Sequence, residues 1–108
     1  MRTYVCHEGR LEALDARFRD HTTKLFAKHG MTNVLYTHPI DAEKGAGTTL
    51  VYFLAHASVD AAKASFDAFR ADPAWISARD ASEASGKILA ISPPTSLFLE
   101  PTGFSKLR

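Results

Sequence analysis

The chain has 108 residues, 45% of them apolar, with 13 Lys and Arg against 12 Asp and Glu. That is the size and composition of one folded domain over 1–108, and it argues against a disordered tail. A formal net charge of +1 and a lone cysteine, Cys6, exclude a phosphate-seeking basic field, a disulfide framework and multi-Cys metal centres, so no nucleic acid partner is expected.

Residues 2–6, Arg-Thr-Tyr-Val-Cys, are rich in β-branched and aromatic side chains and predict a short strand, punctuated by Gly9. From Arg10 the period changes. Leu11, Leu14, Phe18, Leu25 and Phe26 recur at helical spacing with charged residues between them, and Gly30 after Lys28 and His29 marks the end; the spacing predicts a helix over 10–29. Residues 31–39 and 48–57 have strand composition and flank a glycine-containing loop, which predicts an antiparallel hairpin. The stretch 50–55 is almost wholly apolar, as in a central strand covered on both faces. Ser58 caps a second helix whose stripe is Val59, Ala62, Phe66 and Phe69. Asp72-Pro73 breaks it and starts a shorter helix to about Ala84. Residues 87–92 and 96–100 are strand-like but separated by Pro93-Pro94, which cannot donate backbone hydrogen bonds, so a broken last strand is expected.

Strand, helix, strand, strand, helix pair, strand is the order of a ferredoxin-like split β-α-β fold: α+β, a four-stranded antiparallel sheet with helices on one face. Alternation along the strands leaves sizeable side chains on the second face. A homodimer joined through its sheet faces is the simplest cover. No apolar run reaches the ~20 residues that span a bilayer, and no signal pattern opens the chain, so no membrane partner and a cytoplasmic location are expected.

Three segments then resemble one family. Arg2-Thr-Tyr4 followed by Glu8-Gly9-Arg10-Leu11-Glu12, the run Phe69-Arg-Ala-Asp-Pro-Ala-Trp75, and the tail Leu99-Glu-Pro-Thr-Gly-Phe-Ser-Lys-Leu107 are similar to the NIPSNAP family in order and spacing. The resemblance covers essentially the whole chain and implies a dimeric α+β barrel, with no settled reaction. The family's proposed roles in vesicular transport and mitochondrial quality control belong to eukaryotic members. Because this chain opens almost directly at Arg2, the mitochondrial role is not expected of it.

The residues that carry chemistry form no standard constellation. His7, His21, His29, His38 and His56 lack the spacings that gather metal ligands, so no metal is expected. No nucleophile elbow, P-loop or dinucleotide fingerprint occurs, and no cofactor is called for. Cys6 reads as a small buried side chain, since its strand neighbour His7 points to the opposite face. Tyr4, Tyr52, His56 and Trp75 would make a mixed apolar and polar lining, and are the expected ligand-binding residues; Tyr36 joins them only in one hairpin register. Phe104 and Leu107 are expected to dock the tail on its own subunit or across a dimer. A homodimer binding a small apolar or aromatic ligand, or acting as an interaction protein, is the first reading. A cofactor-independent monooxygenase or isomerase on the same fold is the alternative, by analogy of fold. Haem held by His56 is the third.

Overall fold

The computed structural model describes residues 1–107. Strand β1 (Arg2–Val5) leads into a helical rod made of α1 (Leu11–Arg17), a π-helical turn (Phe18–Thr22) and α2 (Thr23–Lys28). The hairpin strands β2 (Thr32–Thr37) and β3 (Thr49–Ala55) follow, then α3 (Val59–Ala71), α4 (Pro73–Ser82) and a two-residue β4 (Thr95–Ser96). The sheet runs β2-β3-β1-β4 with antiparallel neighbours throughout. This is the ferredoxin-like arrangement that the element order predicts, with the helices packed on one face. Among the described residues no helix is long and apolar enough to cross a membrane.

The rod departs from a plain helix for a reason visible in its side chains. Its buried positions Leu14, Phe18, Thr22 and Phe26 lie four apart, and in a regular helix a four-residue step drifts by about 40°. The wider π turn absorbs that drift, with the Thr23 amide donating to the Phe18 carbonyl, and it keeps Phe18 and Phe26 on the sheet side. Both rings pack on Tyr52, at centroid distances of 5.1 and 5.9 Å.

The hairpin contains a second irregularity. Asn33 pairs with Leu54 and Leu35 with Phe53, so Val34 is an extra residue in β2. The bulge reverses which residues point inward, and Asn33 and Tyr36, three apart, share the helix face. Tyr36 then stands opposite Tyr52, its ring stacked at 5.1 Å and 16°. The loop before β3 turns through Gly45 at φ 98°, where a Cβ would lie 2.3 Å from the Thr49 hydroxyl, so only glycine fits.

Two caps set the second helical pair. The Ser58 hydroxyl accepts from the Ala61 amide at 3.0 Å and the Asp72 carboxylate from the Ala74 amide at 2.9 Å, with Pro73 at the first position of α4. The expected break therefore stands, and α4 ends at Ser82, within two residues of the expected end. The last strand is a larger correction. Residues 87–92 contribute one bridge, Cys6 to Leu89, and the expected strand over 96–100 shrinks to Thr95–Ser96. The Ala90 amide still donates to the Val5 carbonyl at 2.8 Å, but Pro93 and Pro94 bring no amide hydrogens, and the ladder is interrupted before β4.

Buried side chains gather between the helices and one sheet face: Tyr4, Cys6, Leu14, Phe18, Phe26, Met31, Leu50, Tyr52, Phe66, Phe69 and Ile88. The other face carries Thr3, Val5, Thr37, Val51 and Phe53, none of them fully buried, with Leu35 49% exposed. The expected docking of the tail on its own subunit does not occur, since Phe104 is 91% exposed and Leu107 is 69% exposed.

A cleft beside a filled aromatic core

The four residues expected to line a ligand site fall in three different places. Tyr4 and Tyr52 meet in the interior, where the Tyr52 hydroxyl donates to Tyr4 at 3.3 Å and the rings lie 5.5 Å apart. Phe18 and Phe26 fill the space around them. Burial, followed by the neighbouring Tyr4, pushes the Tyr52 phenol well above its ordinary pKa, so it stays neutral. His56 lies just past β3 against Phe66 at 6.0 Å. Its pKa is lowered by burial, then by the N-terminal amine and Arg2. Trp75, on α4, packs on Phe69 at 4.6 Å and accepts the Arg17 guanidinium over its ring at 4.9 Å. None of the four lines the cleft described next or the shallow groove between α1 and α4.

The cleft, about 270 Å³ in volume, opens between the helical rod and the β2–β3 hairpin. Phe18 and Leu50 supply buried apolar wall, Tyr36 closes one side, and Asp15, Arg19, Thr23 and His38 bring the polar groups. Both backbone irregularities build it. The π turn presents Phe18 and Arg19, with Thr23 just beyond it, and the bulge brings Tyr36 to the helix face. Tyr52, stacked on Tyr36 from behind, fixes that wall without reaching the cleft. The Tyr36 hydroxyl donates to the Asn33 side chain, whose amide donates to the Thr23 carbonyl at 2.9 Å. Burial, then Tyr4, moves the Tyr36 phenol upward, so it too is neutral.

On the rim, His38 Nε2 and the Asp15 carboxylate are 3.0 Å apart. Sequence reasoning leaves both residues as solvated or separate side chains. The one available signal is parity: His38 follows Tyr36 by two and shares its face, which has meaning only once the bulge is known.

Elsewhere, three ionisable groups serve the packing. Asp72 holds Lys28 Nζ at 2.7 Å and His29 Nε2 at 2.8 Å besides capping α4. The bonds from Lys28, then His29 and the Ala74 amide, hold its carboxyl well below the usual range. Burial pushes the Cys6 thiol up, which removes the thiolate that a nucleophile needs. Arg17, 5% exposed, donates to Ser82 Oγ at 3.2 Å while lying over Trp75. Among the described residues, no three His, Cys, Asp or Glu side chains are grouped to hold a metal ion.

Among curated proteins none matches this chain. Among solved structures, an uncharacterized NIPSNAP domain protein from Burkholderia xenovorans has the same fold, with a TM-score of 0.76 and 18% identity over 96% of this chain and 93% of that one. The NIPSNAP family profile matches residues 1–106, so the resemblance carried by the Arg2–Glu12, Phe69–Trp75 and Leu99–Leu107 segments is that of membership: this chain belongs to the NIPSNAP family.

Proposed function

We propose that this protein binds a small apolar or aromatic molecule between its helical rod and hairpin, and does so as a homodimer joined through its sheet faces. The cleft carries the reading. Its 270 Å³ lies just below the ~300 Å³ where drug-sized pockets begin and above the ~150 Å³ that holds a bare benzene ring, so its size suits one substituted ring. Its wall is apolar at Phe18, Tyr36 and Leu50, with Asp15, Arg19, Thr23 and His38 as polar partners around it, the mixture common in small-molecule sites.

The exposed surface supports the dimer. Val5, Leu35, Val51 and Phe53 stand on the sheet face away from the helices, and Leu97, Phe98, Leu99 and Phe104 are further exposed apolar side chains in the tail. A second copy packed sheet to sheet covers both.

A thermal-shift series with one-ring aromatics, on protein whose mass is established by sedimentation, tests the reading. The expected mass is that of two 11.8 kDa chains. A ligand at a hundred times its Kd adds about 2.7 kcal/mol, a rise of several degrees. Thr23→Phe, which fills the cleft from its rim, is expected to abolish that rise. A dimer that answers to no ligand would leave an interaction scaffold in place of a small-molecule binder, and a monomer would overturn the assembly. The titratable Asp15–His38 pair against an apolar wall favours a second reading, a cofactor-independent monooxygenase or isomerase using the same cleft, which turnover of a bound ligand would reveal.

A further inference from the structure

We propose that the ligand of the cleft is a weak acid, a phenol or an enol, and that the Asp15–His38 pair takes its proton so that it binds as the anion. This rests on the small-molecule reading above and names the chemical class.

The geometry supplies the pair and the wall beside it. Asp15 Oδ1 faces His38 Nε2 at 3.0 Å, which holds the Nε2 proton toward the carboxylate and leaves the Nδ1 lone pair as the base. The two side chains are 25% and 46% exposed, so as a structural link the pair is worth little, while it remains open enough to a proton. The transfer is balanced: the ligand O–H bond breaks, an N–H bond forms at Nδ1, and no electrons change hands. The products are an anionic oxygen and an imidazolium that faces the Asp15 carboxylate.

The remaining charged and titratable groups around the cleft fit those products. Arg19 lines the cleft and brings a positive charge to its edge, shared with its acidic neighbour Asp20, which meets Nε at 3.4 Å. Tyr36 does not compete as the acid, because its hydroxyl already donates to Asn33. The Phe18 and Tyr36 rings give a flat ligand an aromatic wall, and Leu50 adds aliphatic surface to it.

Para-nitrophenol, whose phenolate is yellow, and para-nitroanisole, its methyl ether with no proton to give, separate the possibilities. The expected result is that the phenol binds about tenfold more tightly than the ether, the size of effect a charge-assisted hydrogen bond provides, and that phenolate colour grows on binding. His38→Gln keeps a polar side chain but no basic nitrogen, and is expected to abolish the gain of colour on binding and bring the two affinities together. Asp15→Asn is expected to weaken both effects. Equal binding of phenol and ether to the native protein, or the same gain of phenolate colour on binding to His38→Gln, would overturn the proton-taking role and leave the small-molecule reading standing. Failure of both probes to bind, or binding that persists in Thr23→Phe, would overturn that reading and this inference together. Circular dichroism of each variant confirms that its fold is intact.

Discussion

The two faces of the sheet are built from the same strands with different results. On the helix side Tyr4, Leu50 and Tyr52 are buried among Phe18, Phe26 and Phe66, and every large side chain meets another of the same chain. On the opposite side Val5, Val51 and Phe53 are only half-buried and Leu35 is exposed, and among the described residues the helices pack on the other face. Residues 50–54 are apolar without alternation, a pattern that asks for cover on both faces. The chain supplies that cover once. The comparison teaches that burial within one subunit and burial available to a second copy are written in the same strand, one residue apart.

Breaking the covered face has the largest expected effect. Phe26 is fully buried and packs on Phe18, Tyr52, Phe66 and Phe69. Phe26→Ala is expected to cost about 3 to 5 kcal/mol in urea unfolding, a large part of the 5 to 15 kcal/mol typical of a domain. On the open face, Phe53→Asp is expected to remove about 2 kcal/mol of apolar burial per subunit from the assembly. Sedimentation should then show a monomer whose far-ultraviolet circular dichroism is unchanged; a dimer that survives would move the interface to another surface.

Two smaller effects read out through pH at the edges of the covered face. The Asp72 carboxyl is held below its unfolded value, so its contribution is complete above the unfolded carboxylate pKa of about 3.9 and is lost as pH falls below it. Asp72→Asn is expected to lower the melting temperature at neutral pH and to flatten the acid limb of the stability curve. His56 is depressed in the fold by burial first, so the native state binds fewer protons than the unfolded chain as pH falls through about 6.5. Stability present above that pH declines below it, and His56→Gln should remove this decline, leaving a shallower profile in thermal unfolding between neutral and mildly acidic pH.

Much of the architecture was legible along the chain. The period change at Arg10, the Ser58 cap and the Asp72-Pro73 break each correspond to an observed boundary, because caps and prolines act through local backbone chemistry. The last strand was less legible. Side-chain composition over 87–92 and 96–100 favours strand, but a strand needs a paired amide at successive positions, and Pro93-Pro94 interrupts the supply. The candidate site was least legible. Tyr4 and Tyr52 have the composition of a ligand lining, yet the space between them is taken by Phe18 and Phe26 from the rod, and the cleft lies one layer outward with Asp15 and His38 on its rim.

What the sequence by itself determined was the order of elements, the sheet it forms and the family it belongs to, since these follow from periodicity, caps and long-range motif spacing. What only the tertiary structure decided was which side chains converge. The Val34 bulge reverses parity in β2, and the π turn resets the phase of the rod by less than one residue. Each shift is small along the chain and turns a whole face in space, because strand side chains repeat every two residues and helix side chains about every 3.6.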